Sequence, residues 1–244
     1  MSGDYSAYYG HLGQARKAWQ RAVEMAESTG RPDQTAKHEA GIAVREFLLG
    51  NTTEARRAVT AALGLPYKDR DAETGTALAL ALLGDPRAEA LVRDLDRRFP
   101  ESTVVQFGHL PFLRAQLALN RRDPARAIEM LKVAEPYEFG WQCPSTGGFC
   151  GSLYAIYMRG QAYLAAHRGT QAAAEFQKII DHIAVVSNDP TIVVAARLQL
   201  ARALALSGDR GKAKSAYEDF LEFWKDADPD LPILQQAKAE HDKL

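Results

Sequence analysis

The sequence contains few cysteines and no long apolar run. Cys143 and Cys150 are the two cysteines in 244 residues, too few for a disulfide scaffold, and a zinc site would need two further ligands. They could close a small disulfide loop in an oxidising compartment or remain free thiols. No apolar stretch is long enough to cross a membrane, which takes about 20 residues, so we expect no membrane insertion.

An excess of charge of either sign is also absent. The 30 lysines and arginines nearly balance 31 aspartates and glutamates, which gives a formal net charge of -1 and no broad attraction to nucleic acid. Residues 1–5 lack the basic and apolar regions of a signal peptide. We therefore expect a cytoplasmic location, or an extracytoplasmic one if a longer parent protein has an upstream transmembrane helix.

Motifs that carry chemistry are missing as well. The sequence has no glycine-rich phosphate loop and none of the protein-kinase signatures, and its six histidines show no metal-binding spacing. The run Ser145–Gly148 has the composition of a flexible loop rather than of a nucleophile site. The sequence predicts a protein that is not an enzyme and that has no cofactor and no metal site.

Helical periodicity is present throughout the chain. In the segment 152–167, Ile156, Gly160, Tyr163 and Leu164 recur at three- and four-residue steps, which is typical of one helix face. A second amphipathic run covers 170–183, with Thr170 as the expected N-cap and Gly169 as the expected end of the preceding helix. Together they predict a helix–turn–helix hairpin.

The same unit recurs along the chain. Asp85, Asp123 and Asp189 are expected helix starts, and Pro111 should kink or delay the helix that contains it. The remaining predicted pairs are 33–49 with 52–63, 71–83 with 85–99, 101–120 with 123–134, and 190–207 with 210–224.

Small residues mark the start of each second helix. They are Ala15, Ala55, Ala88, Ala127, Ala172 and Ala213, separated by 40, 33, 39, 45 and 41 residues. Helices that cross closely need a small residue at the crossing, and a bulky residue four positions later should fill the adjoining groove. We expect one all-α domain over residues 1–244, about five and a half hairpins, with an inserted loop at 136–151 and a C-terminal capping helix at 232–244.

The hairpin that contains Gly160, Tyr163, Ala172, Phe176 and Ile179 resembles the tetratricopeptide repeat (TPR) family. This resemblance implies a right-handed superhelix of antiparallel hairpins, an α-α solenoid, that binds protein or peptide. Three long segments (7–24, 159–182 and 200–244) are also similar to the C-terminal helical-repeat region of bacterial eukaryotic-like serine/threonine kinases. The resemblance implies the distal part of a multidomain signalling protein, with a kinase or DNA-binding domain upstream.

The first helices of stacked hairpins usually line a concave ligand surface. Projection outward from the core stripes predicts a protein-binding face made of His109, Phe112, Gln116, Asn120, Tyr154, Tyr157, Gln161, Leu198 and Arg202. For Phe112 and Tyr157, packing between hairpins is an equally open interpretation.

Two functions follow from these features. The first is a protein-interaction or sensory module, and the second is a small-ligand sensor with a pocket near the 136–151 loop. Ala15 belongs to a second helix with only about a dozen residues before it. An unpaired N-terminal apolar face would then be open to self-association.

Overall fold

The computed structural model describes residues 3–140, 153–183 and 190–244. These residues form helices and turns, and no strand occurs among them. The prediction of an all-α protein is therefore confirmed. The α-helices are α1 Gly3–Tyr8, α2 Leu12–Ser28, α3 Pro32–Leu48, α4 Thr52–Leu63, α5 Arg70–Leu82, α6 Arg87–Arg98, α7 Leu110–Asn120, α8 Pro124–Leu131, α9 Tyr154–Ala165, α10 Gly169–Asp181, α11 Thr191–Leu206, α12 Arg210–Phe223 and α13 Pro232–His241.

Local signals in the sequence set several helix ends. The carboxylate of Asp123 accepts a hydrogen bond from the backbone N–H of Arg126 at 3.0 Å, as expected of an N-cap. Asp85 accepts from the N–H of Arg87 at 2.9 Å at the predicted start of α6. Asp189 lies outside the described residues. Thr170 was expected to cap α10, but that helix begins at Gly169 with Arg168 at the N-cap position.

The turn between α9 and α10 differs from the prediction. Gly169 was expected to end the preceding helix, but the residue with a left-handed backbone after α9 is His167, with φ +56°. Gly169 is needed for a different reason. A Cβ atom there would lie 2.5 Å from the backbone nitrogen of Ser207 at the end of α11, so the glycine allows two neighbouring hairpins to approach closely.

Pro111 affects its helix as predicted. A π-helical turn, Val104–His109, precedes α7, and Pro111 occupies the first turn of α7. Proline is tolerated there because the first N–H groups of a helix need no partner within the helix. A 3-10 helix, Lys132–Tyr137, leads into the inserted loop, whose residues 141–151 lie outside the described part.

The six alanines at the hairpin crossings form the core, as predicted. Each is fully buried, and the bulky residues four positions later are buried as well, at no more than 7 % exposure. These bulky residues are Trp19, Val59, Val92, Leu131, Phe176 and Tyr217.

The helices form an inner and an outer layer. The inner helices α3, α5, α7, α9 and α11 pack side by side in chain order, and α11 also contacts α3. Ten consecutive residues of α5, Ala72–Ala81, are buried, whereas the outer helix α2 is buried along one stripe. A helix that is buried on all sides lies within the protein, and one with a single buried stripe lies at its surface. The five inner helices therefore form a closed ring. The right-handed superhelix that the TPR resemblance implies stays a prediction.

The two ends of the chain meet where the ring closes. Helix α1 packs against α2 and α11, and the N–H of Asp228 donates to the carbonyl of Gly10 at 3.0 Å. The predicted exposed N-terminal face is therefore covered by C-terminal residues of the same chain. The predicted capping helix is present as α13, which packs on α12 and reaches Gly50 at the end of α3.

Candidate functional site

The closed ring borders a cavity of about 500 Å³ that is partly open to solvent. It is lined by the C-terminal ends of α3, α5 and α7, by residues along most of α9, and by the middle of α11. Every inner helix contributes to its lining, and α13 contributes from the side. Leu48, Leu82, Leu119, Leu198 and Ile233 form apolar parts of the wall.

A pair of amide side chains lies on the α7 side of the cavity. Gln116 donates a hydrogen bond from Nε2 to Oδ1 of Asn120 at 2.8 Å. Asn120 in turn donates from Nδ2 to the backbone carbonyl of Ala81 at 2.7 Å, near the C-terminus of α5. The carbonyl of Ala81 also accepts from the N–H of Gly84 at 3.1 Å, so Asn120 is its second donor. This contact holds both amides in place and joins α7 to α5.

A charged pair lies on the opposite side, between α11 and α13. Arg202 donates to both carboxylate oxygens of Glu240 at 2.7 and 2.8 Å, and to Oε1 of Gln236 at 3.1 Å. The hydroxyl of Tyr217 also donates to Glu240 at 2.9 Å. A two-bond guanidinium–carboxylate pair of this kind fixes the relative position of two helices as well as stabilising the charges.

Both members of this pair stay ionised over a wide pH range. Partial burial acts to lower the pKa of Arg202, but the hydrogen bonds and charge of Glu240 raise it overall. Burial likewise acts to raise the pKa of Glu240, but its bonds to Arg202 and Tyr217 and the Arg202 charge lower it overall. The two charges therefore cancel at the cavity wall.

Tyr157 of α9 contributes a buried hydroxyl group. Burial raises the pKa of Tyr157, and the neighbouring side chains of Gln161 and Gln199 partly oppose that rise. Its ring packs edge-on against Phe176 of α10, with ring centroids 5.7 Å apart. Tyr157 thus presents a neutral polar group to the cavity from a rigid position in the core.

The structure brings together six of the nine residues that the sequence predicted for a binding face. Gln116, Asn120, Tyr157, Gln161, Leu198 and Arg202 line this one cavity. The cavity was predicted as an open concave groove, and the closure of the ring makes it a pocket.

The other three predicted residues do not line the cavity. Phe112 and Tyr154 are fully buried and pack against each other, with ring centroids 5.8 Å apart. His109 is also buried, and its Nδ1 lies 3.1 Å from the hydroxyl of Thr74. Burial lowers the pKa of His109 to about 4, so its ring is neutral near pH 7. For these three residues, packing between hairpins replaces the predicted ligand face.

Other lining residues were not predicted. Gln199 follows Leu198 directly, and projection of α11 alone did not place both residues on the inner side. Gln236 and Ile233 come from α13, which was expected only to cap the last hairpin. The contact between α13 and the cavity depends on ring closure, for which the sequence gives no local signal.

The lining residues offer hydrogen bonds rather than acid–base or metal chemistry. Among the residues that line the cavity there is no histidine, cysteine or carboxylate. No cluster of potential metal ligands occurs among the described residues. In the same part of the chain, no helix has the length and apolar character needed to cross a membrane. Cys143, Cys150 and the pocket expected beside them lie outside the described residues.

Comparison with known proteins leaves the family open. No protein-family model, curated protein or solved structure matches this chain. Membership of the TPR family, and the link to serine/threonine kinases, therefore stay predictions based on the quoted residues.

Proposed function

We propose that this chain is a non-catalytic sensory module whose cavity binds a compact ligand. The closed ring of inner helices around a space of about 500 Å³ carries this proposal. Pockets for small ligands typically measure about 300–1,000 Å³, with mainly apolar walls and a few fixed polar groups. The cavity has this size, and its lining combines apolar side chains with a comparable number of polar ones.

Ring closure supports the small-ligand interpretation over an extended peptide. A long peptide needs a continuous concave surface, as an open superhelix would offer. Here α11 contacts α3, and the C-terminal segment covers the N-terminal hairpin, so the inner surface is limited to the cavity. The small-ligand sensor was the second function derived from the sequence, although its pocket was expected near the 136–151 loop.

The resemblance to kinase C-terminal regions supports a place in a larger signalling protein. In such a protein the cavity would sense a ligand, and a separate domain would perform the catalytic or DNA-binding step. The described chain would contribute recognition alone, because the cavity lining has no acid–base pair.

A protein partner is the second candidate function, and an aromatic patch outside the cavity favours it. Tyr5 and Tyr9 are 42 % and 46 % exposed, and the ring of Tyr9 lies 6.2 Å from that of Phe223 across the ring closure. Tyrosine and phenylalanine are enriched at protein interfaces. A partner at this patch would contact both ends of the chain at once.

A screen of small organic compounds by NMR tests the primary proposal. Compounds that bind should shift the backbone signals of residues around the cavity. Ala165 is exposed at the rim of the cavity, so Ala165→Trp should fill the entrance and abolish these shifts. Ala174→Trp, at an exposed position of the outer helix α10, is the matched control and should leave binding intact.

Two results would count against the cavity proposal. One is that no compound shifts the cavity signals, and the other is that binding survives Ala165→Trp. A pull-down from cell lysate would then test the second candidate. A specific partner that is retained by Arg202→Ala and lost by Tyr9→Ser would assign binding to the aromatic patch.

A further inference from the structure

The amide groups on the α7 side have a fixed orientation. The carbonyl oxygen of Ala81 can only accept, so the Asn120 atom that faces it is Nδ2. Oδ1 of Asn120 therefore accepts from Nε2 of Gln116. This relay leaves Oε1 of Gln116 as a hydrogen-bond acceptor, with no partner among the described residues.

The amide on the opposite side has the reverse orientation. The guanidinium of Arg202 can only donate, so the Gln236 atom that faces it is Oε1. Nε2 of Gln236 is therefore left as a donor, again with no partner within the described part of the chain. The cavity thus offers an acceptor from α7 and a donor from α13.

The charges at the cavity favour an uncharged ligand. Arg202 and Glu240 neutralise each other through two hydrogen bonds. An anion would have to compete with Glu240 for Arg202, and a cation would enter without a carboxylate among the lining residues. Either ion would also lose hydration against walls that include Leu82, Leu119 and Leu198.

We propose that the cavity binds an uncharged compact molecule that carries an amide group on an apolar body. A secondary amide carries an N–H donor and a carbonyl acceptor, which are the chemical complements of the acceptor at Gln116 and the donor at Gln236. The amide can belong to a short peptide or to a small molecule that is not a peptide. This inference rests on the proposed function, because it names the ligand class of the same cavity.

Four probes of similar size test the charge and the source of the ligand. N-acetyl-leucine methylamide is neutral and peptide-like, and N-benzylacetamide is neutral and not a peptide. N-acetyl-leucine, as its carboxylate, and leucine methylamide, as its ammonium ion, keep the same apolar body but carry a charge. In NMR titrations of the full chain, at least one neutral probe should bind about tenfold or more tightly than both charged probes. The neutral probe that binds more tightly shows whether the ligand is a peptide or a small molecule that is not a peptide.

Two substitutions test the predicted contacts. Gln116→Leu removes the acceptor and Gln236→Leu removes the donor, at nearly constant side-chain size. Each substitution should lower the affinity for the better neutral probe by about tenfold, because the loss of one hydrogen bond costs about 1.4 kcal/mol. Gln177→Leu, on the exposed side of α10, is the control and should not change the affinity.

The outcomes separate this inference from the function on which it rests. If other compounds bind in the cavity but neither neutral amide does, the ligand class is wrong and the sensory function stands. The ligand class is also wrong if a charged probe binds as tightly as the neutral ones, or if both glutamine variants keep full affinity. If no compound of any class shifts the cavity signals, the proposed function fails as well.

Discussion

The indole nitrogen Nε1 of Trp224 donates a hydrogen bond to the backbone carbonyl of Tyr8 at 2.9 Å, and 216 residues separate the two in the sequence. Both side chains are buried, and the ring of Tyr8 also packs edge-on against Phe223 at 5.0 Å. This contact joins α12 to the end of α1. The hydrogen bond therefore links the first and last parts of the chain where the ring closes.

Removal of this hydrogen bond should destabilise the whole chain. Trp224→Phe keeps an aromatic ring but leaves the buried Tyr8 carbonyl without its donor, which should lower the free energy of unfolding by about 1–3 kcal/mol. Urea denaturation measures this change. Hydrogen exchange should also become faster in α1 while it stays unchanged in α7. Unchanged stability together with unchanged exchange in α1 would mean that the contact does not hold the ring closed.

Gly10 should tolerate a side chain less well than a comparable glycine elsewhere. Gly10 and Gly84 both have positive φ, at +79° and +70°, but a Cβ at Gly10 would lie 2.2 Å from the Cβ of Ala227, whereas Gly84 has open space. Gly84→Ala should cost about 1–2 kcal/mol through its backbone alone. Gly10→Ala should cost clearly more in the same denaturation measurement. Equal losses would show that the closure contact at Gly10 is loose.

Substitution of Arg159 should be among the changes that lower the free energy of unfolding most. It is buried, it pairs with the buried carboxylate of Glu138, and it donates to Glu175 at 2.6 Å. Burial opposes the charge, but the two carboxylates raise the pKa of Arg159 overall. Arg159→Met would leave both carboxylates with only their longer contacts to Lys178, at 3.8 Å from Glu138 and 3.5 Å from Glu175, at a cost of about 3–5 kcal/mol.

A matched arginine at the surface provides the control for that prediction. Arg97 also pairs with a carboxylate, that of Asp94, but its side chain is 79 % exposed. Arg97→Met should cost no more than about 1 kcal/mol. The prediction for Arg159 is wrong if the two variants unfold at similar urea concentrations.

Protonation of His109 should make the chain less stable in mild acid. Its pKa is about 4 in the folded chain, lowered from 6.5 mainly by burial. Between these values the unfolded chain binds more protons than the folded chain, so stability falls as the pH falls. From pH 7.5 to 5, the contribution of His109 should decrease by about 2 kcal/mol. His109→Gln should reduce the pH dependence by that amount, whereas His182→Gln, at an exposed position, should keep it.

The parts of the fold that the sequence predicted depend on contacts between nearby residues. The helix starts at Asp85 and Asp123, the alanines at the hairpin crossings and the effect of Pro111 each involve residues within about one hairpin. The turn at His167 was missed because a non-glycine residue with positive φ has no strong sequence signal.

The sequence predicted those parts of the candidate site that depend on residues close together in the chain. Gln116 and Asn120 lie four residues apart on one helix, so their shared face follows from the helical period. Tyr157 and Gln161 are related in the same way. The positions of Gln236 and Glu240 were not predictable, because their neighbour Arg202 is more than 30 residues away and the contact requires the final placement of α13.

The sequence by itself determined that the chain is helical, where most hairpins begin and end, and which small residues lie at their crossings, because these features depend on local periodicity, capping and turn chemistry. Only the tertiary structure decided that the inner helices close into a ring and turn the predicted concave face into a cavity. Closure depends on small rotations between successive hairpins that add up along the chain. Because these rotations add up over several hairpins, no single residue encodes the closure.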